Sequence, residues 1–294
     1  MITSIKRSDP AKGLDEIFGY TASDVETVRK ITSHIDFEFE ELIRDYELCL
    51  DTDFSKELYY TSLSSVNPET INQFLQLTLA YENHHNYCVA TGKFISDLVE
   101  NSFENLGHTD FFLNTTNLKP IHYLFEKINY TKKLNVNIVG DIGNECFINS
   151  ENLNVYVKGN AKNDISSYGH NNTIKIDGSV GDWFAFKSSN CNIYVKGNVG
   201  NNCSAQSKRN YLVVGGTIAE KLLSRSHDVT CAVRGKVDEG IFLGRCKQLK
   251  LYLPQNFADL CADYYKLNEI NLGEDAQNHK KYKEMMDNLD EVFK

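Results

Sequence analysis

Three side chains with metal-binding chemistry lie close together in the N-terminal third of the chain. Glu82, His85 and Cys88 follow one another at three-residue steps, so on a helix they would share one face. Zinc accepts carboxylate, imidazole and thiolate ligands. The trio is therefore a candidate metal site, and a polar helix face in contact with the rest of the molecule is the competing interpretation.

A second group of side chains indicates binding rather than catalysis. Residues 154–160 and 192–198 form nearly identical heptapeptides, 38 positions apart, in which Tyr and Lys alternate with apolar residues. Strand alternation places the Tyr and Lys side chains on one face. Such a face favours a protein partner or an acidic ligand, and an ordinary solvated strand face is the alternative. The predicted partner-binding strip consists of Tyr156, Lys158, Tyr194, Lys196 and Arg234.

The elements that position these groups follow from an internal repeat. Six glycines recur at intervals of 19 residues: Gly140, Gly159, Gly178, Gly197, Gly216 and Gly235. A repeat of this length indicates a solenoid, in which each unit buries its apolar edge against its neighbours. We expect each glycine to form a corner with positive φ.

Apolar residues occupy fixed positions around each repeat glycine. They stand two and four residues before it, and two and six residues after it. Around Gly140 these positions hold Ile138, Val136, Ile142 and Cys146. Alternation with period two is typical of strands, so we expect at least two short strands per coil with these columns facing inward.

Helical spacing surrounds the repeat. Apolar faces indicate helices over residues 21–50, over 67–98 with an interruption near Gly92, and over 120–130. Two further helices, at about 257–267 and 282–293, could cover the last coil. Exposed strand edges at the ends of a solenoid invite pairing with other chains, and these helices are expected to cap them.

The predicted fold class is α+β. A right-handed parallel β-helix of six 19-residue coils occupies residues 133–253, between an N-terminal helical domain at 1–132 and a C-terminal helical cap at 254–294. Left-handed acyltransferase helices use a hexapeptide repeat, which does not fit a step of 19 residues. The bulky flanking helices disfavour a bactofilin-like filament.

The repeat resembles a known family. Residues 140–143, 178–181 and 197–200 read Gly-x-[Val/Ile]-Gly, and this subpattern is similar to the GXGXG-type right-handed β-helix. That domain closes the large subunit of glutamate synthase and recurs in formylmethanofuran dehydrogenase, where it is mainly a structural spacer. In three coils the second glycine is replaced, by Lys162, Ala219 and Asp238. The resemblance implies a fold and not an activity.

Composition narrows the function classes. The net charge of −9 argues against general binding to nucleic acid or anionic lipid, and no apolar run is long enough for a membrane span. The eight cysteines form no Cys-x-x-Cys pair, and Cys146 and Cys203 lie three coils apart, too far for a disulfide. With no leader at the N-terminus, these features predict reduced thiols in the cytoplasm.

Two functions are compatible with these features. The first is a non-enzymatic cytoplasmic scaffold or subunit that binds a protein partner or a second copy of itself. The second is an enzyme, with or without a metal, whose site lies where the N-terminal helices meet the solenoid and uses Glu82, His85 and Cys88. We expect no organic cofactor, because the sequence has no phosphate-binding glycine loop before a helix.

Overall fold

The computed structural model describes residues 37–52, 65–237, 246–253 and 269–293 of the 294-residue chain. The predicted helix over 21–50 is described only from Phe37 onward, and the predicted helix over 257–267 lies outside the described residues. The α-helices are α1 (Phe37–Leu50), α2 (Pro68–Leu77), α3 (Tyr87–Leu106), α4 (Gly273–Asn278) and α5 (Lys280–Val292).

Helix α2 begins where its sequence predicts. The side chain of Asn67 accepts a hydrogen bond from the backbone N–H of Thr70 at 2.9 Å. Pro68 occupies the first turn, where a backbone N–H has no intrahelical acceptor. The local capping signal is therefore sufficient to fix this helix start.

The predicted helix over 67–98 is interrupted, but at 78–86 and not near Gly92. A 3₁₀ turn at Thr78–Tyr81 and the turn at 82–86 separate α2 from α3. Gly92 lies inside α3 rather than at an interruption. A Cβ atom at Gly92 would overlap the backbone carbonyl oxygen of His122, so this glycine permits close packing of α3 on the first coil.

Within the described residues, nine parallel strands form one sheet in sequence order. They are β1 (Asp110–Asn114), β2 (Asn129–Val139), β3 (Glu151–Lys158), β4 (Thr173–Ile176), β5 (Asn192–Val195), β6 (Tyr211–Val214), β7 (Thr230–Val233), β8 (Lys250–Leu253) and β9 (Glu269–Leu272). Through the centre, each residue pairs with the one 19 positions later, as Ile174 does with Ile193. The molecule is a parallel β-solenoid of about six coils with flanking helices, as predicted.

The four predicted inward columns are buried wherever the structure describes them. The residues two before the glycine run from Ile138 to Val233 and are all at most 1% exposed. The column two after the glycine includes Ala161, the most exposed of the set at 6%. One continuous apolar core therefore fills the solenoid and joins the buried faces of α1, α2 and α3.

The prediction that each repeat glycine adopts positive φ is wrong at five of the six positions. Only Gly140 has positive φ, at 111°. At the last four positions the glycine N–H donates to the carbonyl oxygen of the glycine one coil earlier, as Gly197 does to Gly178 at 3.0 Å. A Cβ there would overlap the same carbonyl. The glycine is required by close stacking of coils.

Each coil contains one strand rather than two. After the glycine, pairing is reduced to two isolated bridges per coil, such as Ala161 with Val180 and His170 with Ser189. Positive φ then recurs at alternate non-glycine residues, for example 58° at Asp164, 56° at Ser166 and 59° at Tyr168. Asp164 and Tyr168 donate backbone hydrogen bonds to the next coil and Ser166 donates to the previous one. The alternating backbone thus bonds each coil to both neighbours.

The predicted helix over 120–130 is also wrong. This segment has positive φ at Tyr123, Phe125 and Lys127 and forms part of the first coil. The N–H of Phe147 donates to the carbonyl of Leu124 at 2.7 Å. Strand β1 pairs with β2, so the parallel stack begins upstream of the first repeat glycine.

Asparagine side chains connect successive coils. The residues one and four after the glycine accept hydrogen bonds from backbone N–H groups 19 positions later. Asn160 accepts from Ser179 at 2.9 Å, and Asn163 accepts from Asp182 at 2.9 Å. This explains the many turn asparagines beyond their tolerance of left-handed backbone.

The two ends of the molecule carry their helices differently. Helix α3 covers the first coil, where Cys88 and Ser96 accept hydrogen bonds from the N–H groups of His122 and Phe125. At the other end, α4 contacts β8 and β9, and α5 runs back along the outer face of β5, β6 and β7. The C-terminal helix that the structure describes therefore lies on the side of the solenoid.

Candidate functional surfaces

The predicted strip lies on the outer face of the sheet. Tyr156 in β3 and Tyr194 in β5 point away from the core and are half-buried. Lys158, Lys196 and Arg234 are exposed at the ends of their strands. Lys175 and Asp177 lie on the intervening coil, and Asp177 pairs with Lys196 at 2.8 Å. The basic column is therefore interrupted by a carboxylate.

Helix α5 covers the C-terminal part of this face. A second apolar cluster, separate from the solenoid core, joins the helix to the outward side chains of the strands. Its buried members are Val213, Ala232, Tyr252, Ala276, Tyr282, Met285, Met286 and Leu289. Leu289 lies against Gly215, where the lack of a side chain lets the helix approach.

The five strip residues consequently fall into two sets. Tyr194 packs against the second apolar cluster, and Arg234 donates to Asp290 of α5 at 2.8 Å. Lys196 lies 5.9 Å from the ring of Phe293. Tyr156 and Lys158 lie beyond the end of the helix, with the Tyr156 ring 5.9 Å from that of Phe293.

The sequence carries a signal for this helix contact that the glycine repeat alone does not reveal. The outward column three before the glycine changes from Tyr156, Lys175 and Tyr194 to Val213 and Ala232. An outward position on a solvated strand face has no need for small apolar residues. Two such positions on adjacent coils indicate a covered surface.

An aromatic patch lies on another side of the coils. We define it as Tyr168, Trp183 and Phe186. Phe186 meets both other rings edge to face, with centroids 5.7 Å from Tyr168 and 5.0 Å from Trp183. Tyr168 is 47% exposed and Trp183 is 39% exposed. Phe184, next to Trp183, points into the core. Two adjacent residues therefore place one aromatic ring in the core and the other on the surface.

The candidate metal trio does not share a helix face. Glu82 and His85 lie in the turn between α2 and α3, and Cys88 is half-buried in the first turn of α3. The carbonyl of Glu82 accepts a hydrogen bond from Lys119 at 2.7 Å. In the part of the chain that the structure describes, no three His, Cys, Asp or Glu side chains are grouped to hold a metal ion. Metal binding by this trio stays a prediction without geometric support.

The thiols have environments typical of core side chains. Six cysteines within the described ranges are free thiols: Cys88, Cys146, Cys191, Cys203, Cys231 and Cys246. Burial raises the pKa of Cys146 to about 12 and that of Cys191 to about 11. Burial also raises the pKa of Cys88, and the positive charges of Lys119 and Lys162 partly oppose this increase. Since the thiolate is the reactive form, these thiols are poor nucleophiles near neutral pH.

The fold and these surfaces define a class of protein, the parallel β-solenoid with flanking helices and a covered outer face. Comparison of the chain with protein-family models, curated proteins and solved structures finds no match. Over the described ranges, no helix has both the length and the apolar character needed to cross a membrane. Function has to be inferred from the surfaces themselves.

Proposed function

We propose that this protein is a non-enzymatic scaffold or subunit of the cytoplasm that binds a protein partner, or a second copy of itself, through the outer face of its sheet. The observation that supports the proposal is the docking of α5. Apolar side chains and the Arg234–Asp290 pair hold a helix on this face within the molecule. A regular strand surface that binds one helix has the chemistry to bind another element beside it.

The part of the face left for a partner lies beyond the end of α5. Tyr156 is half-buried and Lys158 is exposed there. Phe293, also half-buried, adds an apolar edge next to Tyr156. Aromatic side chains beside a basic group are typical of interface anchors, so a partner with an apolar and acidic surface fits this position.

The further resemblance to the GXGXG-type right-handed β-helix belongs to the same proposal. The ladder of repeat glycines, each too close to its neighbour for a Cβ atom, supports it. In that family the β-helix is mainly a spacer between other domains, which agrees with a scaffold role for this chain.

A charge reversal tests the proposed surface. The partner is first identified by affinity purification from the native host, and binding is then measured with purified components. We expect Lys158→Glu to weaken binding about tenfold or more, since a buried or semi-buried interface charge contributes more than about 1.4 kcal/mol. Lys236→Glu, an exposed lysine on a different side of the coils, is the matched control. Equal effects of the two substitutions would exclude this face as the interface.

A further inference from the structure

The aromatic patch contains two exposed aromatic side chains of the described coils, Tyr168 and Trp183, and the half-buried Phe186 joins them. Its backbone is held on both sides: the N–H of Trp183 donates to the carbonyl of Asn201 at 2.8 Å, and its carbonyl accepts from the Ser167 hydroxyl at 3.0 Å. A rigid, exposed Trp is a strong binding residue, because little conformational entropy is lost when a ligand covers it.

The patch already holds one cation of the chain. The ammonium group of Lys187 lies 5.0 Å from the centroid of the Tyr168 ring and 5.0 Å from that of Phe186. Ring faces attract cations through their quadrupole. Lys187 occupies the side of the patch formed by Tyr168 and Phe186, and among the described contacts no cation lies over Trp183.

Carboxylates lie beside Trp183 on the N-terminal side. Glu145, Asp164 and Trp183 occupy the same position in three successive coils, as their matching backbone hydrogen bonds show, and coils are spaced by about 4.8 Å. Asp182 precedes Trp183 on the same coil, and its carboxylate accepts hydrogen bonds from Asn201 of the next coil. None of these three carboxylates forms an ion pair with another described residue.

The carboxylates also repel one another. Burial raises the pKa of Asp164, and the negative charges of Glu145 and Asp182 raise it further. A bound cation would reduce this repulsion. On the C-terminal side of Trp183 the charges are mixed, since Glu220 and Lys221 lie next to each other two coils on, and Lys187 lies on the same coil as Trp183. The carboxylates of Glu145 and Asp164 therefore favour a cation on the N-terminal side.

We propose that Trp183 and Asp164 form a binding site for an arginine side chain in a basic segment of a partner protein. The guanidinium plane stacks on the exposed indole face and its N–H groups donate to the carboxylate of Asp164. Charge complementarity favours this occupant: a neutral sugar would also stack on Trp183 and donate hydrogen bonds to a carboxylate, but it carries no charge to relieve the repulsion around Asp164, and nucleic acid phosphates would be repelled. The inference rests on the proposed binding function and adds the chemistry of one partner segment.

The chain contains an internal probe for this site, because Trp183 is its only tryptophan. The full-length protein is titrated with the peptide Gly-Arg-Gly-Arg-Gly while tryptophan fluorescence is followed. We expect a saturable change that weakens as salt is added. The same peptide with citrulline in place of arginine keeps the shape but not the charge, and it should give no change. Saturation by citrulline peptide or by maltohexaose in place of the arginine peptide would overturn the proposal.

A substitution at Asp164 tests the charge contact. Asp164→Asn suits the left-handed backbone, since Asn202 occupies the equivalent position two coils on with φ of 59°. We expect about fivefold weaker binding of the arginine peptide, the effect of one exposed charge pair. Asp287→Asn, an exposed carboxylate on α5, is the matched control and should leave binding unchanged. Equal affinity of Asp164→Asn and wild type would refute the site.

A second substitution separates ring stacking from charge. Trp183→Asn gives the coil the residue found one coil later at Asn202, and calorimetry then replaces fluorescence. We expect the arginine peptide to lose most of its measurable affinity. These peptide titrations need no natural partner. If they fail while the Lys158→Glu test succeeds, the scaffold function stands and only the arginine site is refuted. The reverse result refutes the outer face as the interface and supports the arginine site.

Discussion

Helices α3 and α5 both cover the solenoid, but they do so by different chemistry. Helix α3 accepts hydrogen bonds from the backbone N–H groups of His122 and Phe125 in the first coil. Its buried face also belongs to the continuous apolar core. Helix α5 contacts the coils through side chains, in a separate apolar cluster. Within the described ranges, no backbone–backbone hydrogen bond joins α5 to the strands beneath it.

This difference distinguishes contacts that the solenoid fold requires from contacts that its outer surface can make with another segment. An end coil has unpaired backbone donors, and leaving them buried without partners is costly. Helix α3 satisfies such donors and is part of the fold. The outer face of the sheet has its backbone already paired, so a helix on it is held only by side-chain burial. A surface of that kind can bind a segment without any change in its backbone hydrogen bonds.

The largest expected effect comes from disrupting the N-terminal contact. Gly92→Ala should destabilise the whole protein by about 3 kcal/mol or more, because its Cβ would overlap the backbone carbonyl of His122 and neither backbone can move freely. Urea unfolding measures the loss. Gly107→Ala is the control: its φ of 73° adds strain, but a Cβ there meets open space, so about 1 kcal/mol is expected. Similar losses at the two glycines would mean that α3 is not tightly fixed on the coil.

A smaller and more local effect is expected at α5. Leu289→Ala removes a side chain that is 1% exposed in the second apolar cluster, and the lost burial costs about 2 kcal/mol. Hydrogen exchange should accelerate in residues 280–293 and stay slow in β5, β6 and β7, because the strands keep their own core. Glu291→Ala, exposed on the same helix, should change neither. Faster exchange in the strands as well would show that α5 is as integral as α3.

Sequence patterns predicted the coils better than the elements attached to them. Inward columns such as that of Val195 are visible because burial on one face leaves a period of two. A helix was wrongly predicted for segment 120–130 because Leu124 and Phe125 are adjacent and both buried. Positive φ at every second residue turns neighbouring side chains inward, and the buried residues Ile121, Leu124, Phe125 and Ile128 then have the spacing of one helix face.

The candidate sites were less predictable for a physical reason. The turn at 82–86 contains neither Gly nor Pro, so no local signal marked the helix break that separates Glu82 and His85 from Cys88. The Tyr and Lys side chains of the strip lie on the outer face of the sheet, but a repeat pattern describes one coil at a time. Contact with α5 depends on residues far along the chain, as in the Arg234–Asp290 pair, and no single coil encodes it.

The smallest of these effects concerns pH, and it applies to the α3 end alone. Burial and the charge of Glu100 raise the pKa of Asp97 to about 7, against a partial opposing effect of Lys93. The folded protein therefore binds this proton more tightly than the unfolded chain, so stability falls as pH rises from about 4 to about 7 and then levels off. Asp97→Asn removes this dependence.

We expect Asp97→Asn to be more stable than wild type by about 1–2 kcal/mol at pH 8 and by little at pH 4, since each pKa unit corresponds to about 1.4 kcal/mol and solvent near the carboxyl reduces the effect. Urea unfolding at pH 4, 6 and 8 measures the difference, with Asp287→Asn on α5 as the control. Because the buried carboxyl belongs to the helix that completes the first coil, the change should appear in global unfolding. A pH-dependent gain confined to exchange in α5 would reverse the assignment of the two helices.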